Sequence, residues 1–468
     1  MTTPDQTSQS GQSQLGTSLK PRHITMISIA GVIGAGLFVG SANAIEQAGP
    51  AVLVSYALAG SLVVLVMRML GEMATANPDT GSFSVYSQRA LGRWAGFSVG
   101  WLYWWFWVLV IPVEATAAAD ILSRMVGLDQ WIWALLVTIL LTGTNLVSVG
   151  NYGEFEFWFA LVKVVAIIAF IALGVLAILG LLPTSEVSGV SRLWEPDGFF
   201  AGGGGAVIAA MLTTMFSFMG TEIVTIAAAE SPDPAKGITK AVNSVIWRIF
   251  IFYIGSIAVI VSLVPYNRLE NGSYQTVLEA IGIPGAPVIM DVVVLTAVAS
   301  CLNSALYTAS RMVFSLAARG DAPRAIGRVN ARGVPVVAIL LSMVLGFLAV
   351  VGNYVLPDKI FGYLLATSGA IALFVYLSIA VSQLVLGRRM RASHEVPPVR
   401  MWLFPGLTMV VIGFIVVVIG LMAFDPGQQQ AIAFSVVSAA VIVALGVYRQ
   451  RRAGDAREVV EDEPAVRA

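Results

Sequence analysis

Absences set the class of this sequence before any motif does. Cys301 is the only cysteine among 468 residues, which excludes an internal disulfide and any cysteine-based metal cluster. The two histidines, His23 and His394, lie in polar segments between apolar runs, so neither reads as an intramembrane proton relay. Charged residues make up only 12% of the chain against 57% hydrophobic, about half the charged share of a soluble domain. The 27 basic and 27 acidic side chains cancel, so composition points to no nucleic-acid partner. No G-x-x-x-x-G-K-[ST], H-E-x-x-H or G-x-S-x-G occurs, and the Gly202–Gly205 run lacks the lysine of a phosphate loop. ATP-driven transport and these hydrolytic chemistries therefore drop out, and no cofactor is expected. What is left is an all-α polytopic membrane protein whose solvent is the lipid bilayer. Its length admits about ten to fourteen spans of about 20 residues.

Apolar runs recur at 24–44, 50–75, 95–123, 130–149 and 155–182, then at 204–230, 241–264, 284–316, 335–352 and 358–386, with two more at 402–424 and 429–448. This pattern predicts twelve transmembrane helices. Residues 1–20, rich in Ser, Thr, Gln and Gly, and the acidic residues 453–468 read as disordered tails. With the N-terminus inside, alternate connections collect Arg89, Arg93, Lys236, Lys240, Arg311, Arg319, Arg324, Arg328, Arg332, Arg388, Arg389, Arg391 and Arg400, beside Lys20, Arg22 and the Arg449–Arg452 cluster at the ends. The opposite connections hold only Arg124, Arg192, Arg268 and Lys359. Basic residues favour cytoplasmic loops, so both termini are expected in the cytoplasm.

The first span carries Gly31, Gly34, Gly36 and Gly40 at its middle. Glycine gives up the most backbone freedom on ordering, so the cluster suggests a helix interrupted at membrane depth. Unpaired backbone there is tolerated only in a protein interior or against a cavity, where Gly34-Ala35-Gly36 would offer amides to a small polar ligand. Gly36-x-x-x-Gly40 reads equally well as a close helix-packing motif. The glycine order of GVIGAG is reversed from a dinucleotide fingerprint. The sixth span has a matching feature, Ser217-Phe218-Met219-Gly220-Thr221-Glu222 near its middle. The two spans open successive sets of five, and an odd number inverts the second set relative to the first. Interrupted helices at matching positions of inverted halves mark the binding site of a secondary transporter. That favours the break over simple packing.

Longer runs carry a resemblance. Gly49 to Phe83 resembles the signature region of amino-acid permeases of the amino acid–polyamine–organocation superfamily. GWLYWWFWVLVIPVEA (100–115), NYGEFEFW (151–158), TMFSFMGTEIVTIAAAES (214–231) and SCLNSALYTASRM (300–312) resemble bacterial 4-aminobutyrate (GABA) permeases more closely. The similarity runs from about Leu19 to Arg452, so residues 21–452 are read as one permease domain. It implies a five-plus-five inverted repeat (24–182 and 204–386) with two added helices (402–448), importing GABA with protons by alternating access. Proline, β-alanine and aromatic amino acids are the other substrates that it admits, and a channel is the rival from a different class.

The resemblance also implies that the unwound first helix presents the amides of Gly34, Ala35, Gly36 and Leu37 to the substrate carboxylate, where a half-helix N-terminus carries partial positive charge. The break in the sixth helix would offer the carbonyls of Phe216, Ser217 and Phe218 to the ammonium, with either phenylalanine acting as a gate or as core packing. Glu114 follows Pro112 at intramembrane depth, where a carboxylate is costly. It reads as an attractor of the substrate ammonium or as half of a structural ion pair. Glu222 offers the same choice and leans to holding the broken helix through backbone amides. Lys163 falls about 14 Å into the fifth span, near the midplane. Burial disfavours a charged ammonium, and a fifth-helix lysine in proton-coupled relatives gains and loses a proton. Its alternative is a permanent ion pair with Glu156. Ser300, Asn303 and Ser304 line the cavity or join helices. The aromatic cluster Trp101 to Trp107 reads as packing, and Arg68 and Glu72, spaced i,i+4, as an ion pair.

Overall fold

The computed structural model describes residues 33–78, 82–147, 152–195, 197–223, 225, 233–269, 272–330, 333–394 and 396–461. All regular structure among them is helical. The first span comprises α1 (Ala35–Phe38) and α2 (Gly40–Ala48), and a tight turn at Gly49–Ala51 leads into α3 (Val52–Ala76). There follow α4 (Ser82–Leu91), α5 (Arg93–Val126), α6 (Gln130–Val147), α7 (Tyr152–Ile178) and α8 (Gly203–Phe218). Next come α9 (Pro234–Arg248), a π-helical turn at Ile249–Gly255, α10 (Ser256–Leu263), α11 (Ser273–Ala280) and α12 (Ala286–Ala318). The chain ends with α13 (Val336–Val355), α14 (Pro357–Ala392), α15 (Gly406–Phe424) and α16 (Gln429–Glu461). Nine stretches among the described residues are long and apolar enough to cross a bilayer. One is the whole of Ala35–Ala76, bent at Val39 and again at Gly49–Ala51, and α6 and α8 add two shorter apolar helices.

Local chemistry sets several helix ends. Asp233 caps α9 by accepting the Lys236 amide (3.2 Å), with Pro234 at the first helical position. Gly127, left-handed at φ 85°, stops α5. The bundle is built around α5, whose 34 residues reach about 51 Å and which packs against α4, α6, α12, α13, α14 and α16. Close backbone approach positions α8. A Cβ at Gly369 of α14 would lie 2.1 Å from the Leu212 carbonyl oxygen, so only glycine lets the two helices touch there. At the periphery, Val165 and Ile168 of α7, Val410 and Val417 of α15, and Val437 of α16 are half exposed or more. Such continuous apolar faces suit lipid and not water.

Two expectations change. Helices α4 and α11 were not foreseen, being short and only mildly apolar, and α16 continues to Glu461 past the tail boundary at 452. Its last residues include Ala, Arg and Glu, which sustain a helix without packing. The Arg68–Glu72 pair does not form. Glu72, fully buried, pairs with Arg391 Nη2 (2.9 Å) and accepts from Gln383, which in turn accepts from Thr408 (2.9 Å). Arg68 instead donates to the Arg400 carbonyl (2.8 Å) and stacks on Trp402. A fully buried carboxylate needs a well-placed cation, and here it comes from a distant helix and not from the neighbouring turn. Of the predicted first span, 24–32 lie outside the described residues, as do 1–20 and 462–468 of the tails.

Candidate functional site

The start of α1 and the end of α8, where the two breaks were expected, meet. A Cβ on Gly36 would stand 2.8 Å from Ser217 Cα, 2.9 Å from Phe216 Cδ1 and 3.0 Å from Ser217 Oγ, so the backbone of α1 lies directly on the end of α8. Around this contact closes a small cavity lined by Gly36, Glu114, Phe216, Ser217 and Cys301, with Phe106, Trp107, Val110 and Met219. Its volume is about 10 Å³, room for no more than about one water molecule. Near one end of the bundle a much larger cleft of about 780 Å³ is lined by Asn43, Glu46, Asp120 and Lys359, and reaches down to Val39, Thr213 and Leu365. Leu365 and Thr213, at the floor of the cleft, also pack over Gly40, one turn after Gly36. At the opposite end a second cleft of about 320 Å³ is bounded by Asn77, Tyr86, Arg89 and Arg389.

At the first break, Gly34 keeps an extended backbone (φ −143°, ψ −145°) before α1 begins. The Ala35 amide donates to both oxygens of Glu114 (3.0 and 3.3 Å). An amide and a carboxylate are each costly to bury alone, and paired they satisfy one another. The seat expected for a substrate carboxylate thus holds the protein's own carboxylate at Ala35 in this closed centre. Among the described residues no acceptor meets the amides of Gly36 and Leu37. Gly34 is hemmed in by Glu114 and Cys301, each 2.7 Å from where its Cβ would stand.

At the second break, α8 ends at Phe218, Met219 turns extended and Gly220 takes φ 92°. All three carbonyls assigned to a ligand already accept from protein: Phe216 from the Met219 amide (3.2 Å), Ser217 from the Tyr253 hydroxyl (2.8 Å) and Phe218 from the Thr221 hydroxyl (2.5 Å). A carbonyl has two lone pairs, so Phe216 and Ser217 each keep one, while Phe218 also accepts from the Thr221 amide (3.3 Å) and has none to spare. Glu222 accepts the Gly220 amide on both oxygens (3.1 Å each) and does not line the cavity. Phe216 faces the cavity near Phe106 (6.4 Å), whereas Phe218 packs on Tyr253 (4.6 Å) and Tyr56.

Lys163 sits outside that cavity, fully buried beside Cys301's neighbour Ser300. Its ammonium donates to Ser300 Oγ (3.0 Å), and Ser300 donates to Glu156 (2.8 Å). The direct Lys163–Glu156 separation is 4.0 Å. Cys301 lines the cavity beside Glu114 and adjoins Ser300, which brings Lys163 and Glu114 into one cluster. Asn303 turns away to accept from Asn145 (2.8 Å). In the aromatic run, Trp101 and Trp104 bond across helices, while Trp107 faces the cavity.

Sequence reading missed Tyr253, Arg248 and Cys301. Tyr253 reaches Ser217 because the π-helical turn re-aims it, and the apolar run IFIFYIG carries no mark of that turn. Arg248, also buried, donates to Thr221 (2.7 Å) and so steadies the loop after α8. Cys301 was legible only as a neighbour of Ser300.

The profile of the family described as amino acid permease matches residues 23–452. The chain belongs to the amino acid permease family. Among its relatives, a protein of Pseudomonas aeruginosa named probable GABA permease is 59% identical over 94% of this chain and 93% of its own. The gamma-aminobutyric acid permease of Escherichia coli K12 is 58% identical over 89% and 90%. Among solved structures, a manganese transporter of Eremococcus coleocola shares the fold, with TM-score 0.57 at 14% identity over 91% of this chain and 92% of that one. The permease is accordingly a multi-pass membrane protein of a transport family.

Proposed function

We propose that this permease imports GABA across the cytoplasmic membrane by proton symport and alternating access. The observation that carries the transport reading is the contact of Gly36 with Ser217. Two helix breaks close on each other over a cavity too small for an amino acid, between separate clefts near the two ends. The choice of GABA rests on the names of the two close bacterial relatives. In this reading the broken first and sixth spans belong to twelve spans in a five-plus-five inverted repeat, and both termini lie in the cytoplasm. The larger cleft is then the outer vestibule.

When the breaks part, the substrate carboxylate meets the amides of Gly36 and Leu37, at the N-terminal end of the helix that continues as α2. The substrate ammonium meets Glu114, which the Ala35 amide orients, and the spare lone pairs at Ser217 and Phe216. Phe216 closes over the ligand. Glu222 stays with Gly220 and stabilises the turn. Lys163, one cluster away from Glu114, carries the coupled proton.

Purified permease in liposomes should accumulate labelled GABA when the outside is made acidic, and unlabelled GABA should compete better than β-alanine, proline or phenylalanine. Accumulation that follows sodium and ignores pH would overturn the symport, and steady single-channel currents at fixed GABA would overturn the carrier.

A further inference from the structure

Three polar groups stand in line beside the centre, and the substrate geometry leaves two of them unused. Lys163, Ser300 and Glu156 are at most 1% exposed. Ser300 Oγ accepts from Lys163 Nζ (3.0 Å) and donates to Glu156 (2.8 Å). The direct ammonium–carboxylate distance of 4.0 Å exceeds hydrogen-bond reach, so a proton crossing between them passes through the hydroxyl.

The placement gives this line a direction. Lys163 and Glu156 lie two turns apart on one face of α7, which puts Glu156 about 10 Å nearer the helix start. Under the orientation proposed above, that start is cytoplasmic. On α12, Ser304, also buried, lies one turn beyond Ser300 in the same direction. The groups facing Lys163 among the described residues are Glu156 on its own helix, Ser300 and Cys301 on α12, and Glu114 on α5.

We propose that Ser300 and Glu156 form the exit relay for the coupled proton, an inference that rests on the symport reading. Lys163 gives one proton to Ser300 Oγ while the hydroxyl proton of Ser300 passes to Glu156. The ammonium and carboxylate become an amine and a carboxylic acid, the hydroxyl is restored and net charge is conserved. Glu156 then releases its proton to cytoplasmic water, and Lys163 is reloaded from the outward-facing centre. Ser300 is the relaying hydroxyl of this step, since a carboxylate that only balances Lys163 needs no hydroxyl between them.

Full-length permease in liposomes provides the test. Accumulation of labelled GABA under an acid-outside gradient is divided by counterflow, which needs no net proton release. The ratio should fall by about tenfold or more in Ser300→Ala and in Glu156→Gln, while Ser300→Thr, which keeps a hydroxyl, stays near wild type. A wild-type ratio in Ser300→Ala overturns the relay, as does an equal loss in Ser300→Thr when its thermal midpoint matches wild type. If Ser300→Ala does not fold, Glu156→Gln decides, because it keeps the shape and lacks the charge, and a wild-type ratio there overturns the relay. Failure of the symport reading is separate: it appears as wild-type accumulation that ignores pH.

Discussion

The contact between the two breaks makes Gly36→Ala the sharpest perturbation. Its new methyl would sit 2.8 Å from Ser217 Cα, 2.9 Å from Phe216 Cδ1 and 3.0 Å from Ser217 Oγ. Carbon atoms pack best at about 3.5–4.0 Å, so α1 and α8 must part by about 0.7 Å or more. Phe216 can swing aside, but Ser217 Cα is backbone and moves only with its helix. Overpacking of this kind costs about 1–3 kcal/mol. Charged to the closed centre alone, that is a shift of about 5- to 150-fold away from closure. The methyl also stands beside the amide that the proposed binding mode assigns to the substrate carboxylate, so in that reading binding weakens as well. Purified Gly36→Ala should lose about 1–3 °C in thermal midpoint and about tenfold or more in GABA affinity by titration. Gly143→Ala is the control, since nothing lies within 4 Å of its added methyl. It should hold or raise the midpoint, because alanine is the better helix residue by about 0.5–1 kcal/mol. Wild-type midpoint and affinity in Gly36→Ala would refute the close-contact reasoning.

Lys163→Gln should abolish accumulation driven by a pH gradient while leaving measurable GABA binding, and full pH-coupled uptake in that variant would remove its assigned role. Arg391→Ala leaves the buried Glu72 with Gln383 as its remaining side-chain partner, so stability should fall by about 1–3 kcal/mol, and Glu72→Gln in the same background should recover part of it. An unchanged unfolding midpoint in the single variant would show that Arg391 contributes nothing to holding α3 and α14 together.

The glycines of the first span and the polar run of the sixth pointed to the centre because a hydrophobic helix has little other reason to contain them. Gly36 and Ser217 are brought into contact, and Glu114 beside them, although nothing in sequence spacing tells that Glu114 takes the Ala35 amide. That pairing depends on how α5 lies against α1, a long-range fact. The same limit explains Glu72. The i,i+4 rule nominated Arg68, but the rule describes exposed helix faces, whereas a buried carboxylate takes the cation that tertiary packing supplies. Tyr253 was hidden for a local reason, a π-helical turn inside an uninterrupted apolar run. Lys163 stood out because an isolated cation at that depth is rare, and the structure joins it to Glu156 through the Ser300 hydroxyl, a link that no spacing on α7 alone reveals.

The near absence of free volume between Gly36 and Ser217 bears on leakage. In the alternating-access reading, a carrier whose centre is filled by its own backbone presents no continuous thread of water to ions or protons. Uncoupled slip is then limited by how often two packed helix ends separate unaided. In that reading a ligand would hold them apart and so lend the protein a conformation that closure otherwise disfavours. Its measured affinity therefore understates the strength of its contacts by the rarity of that opening.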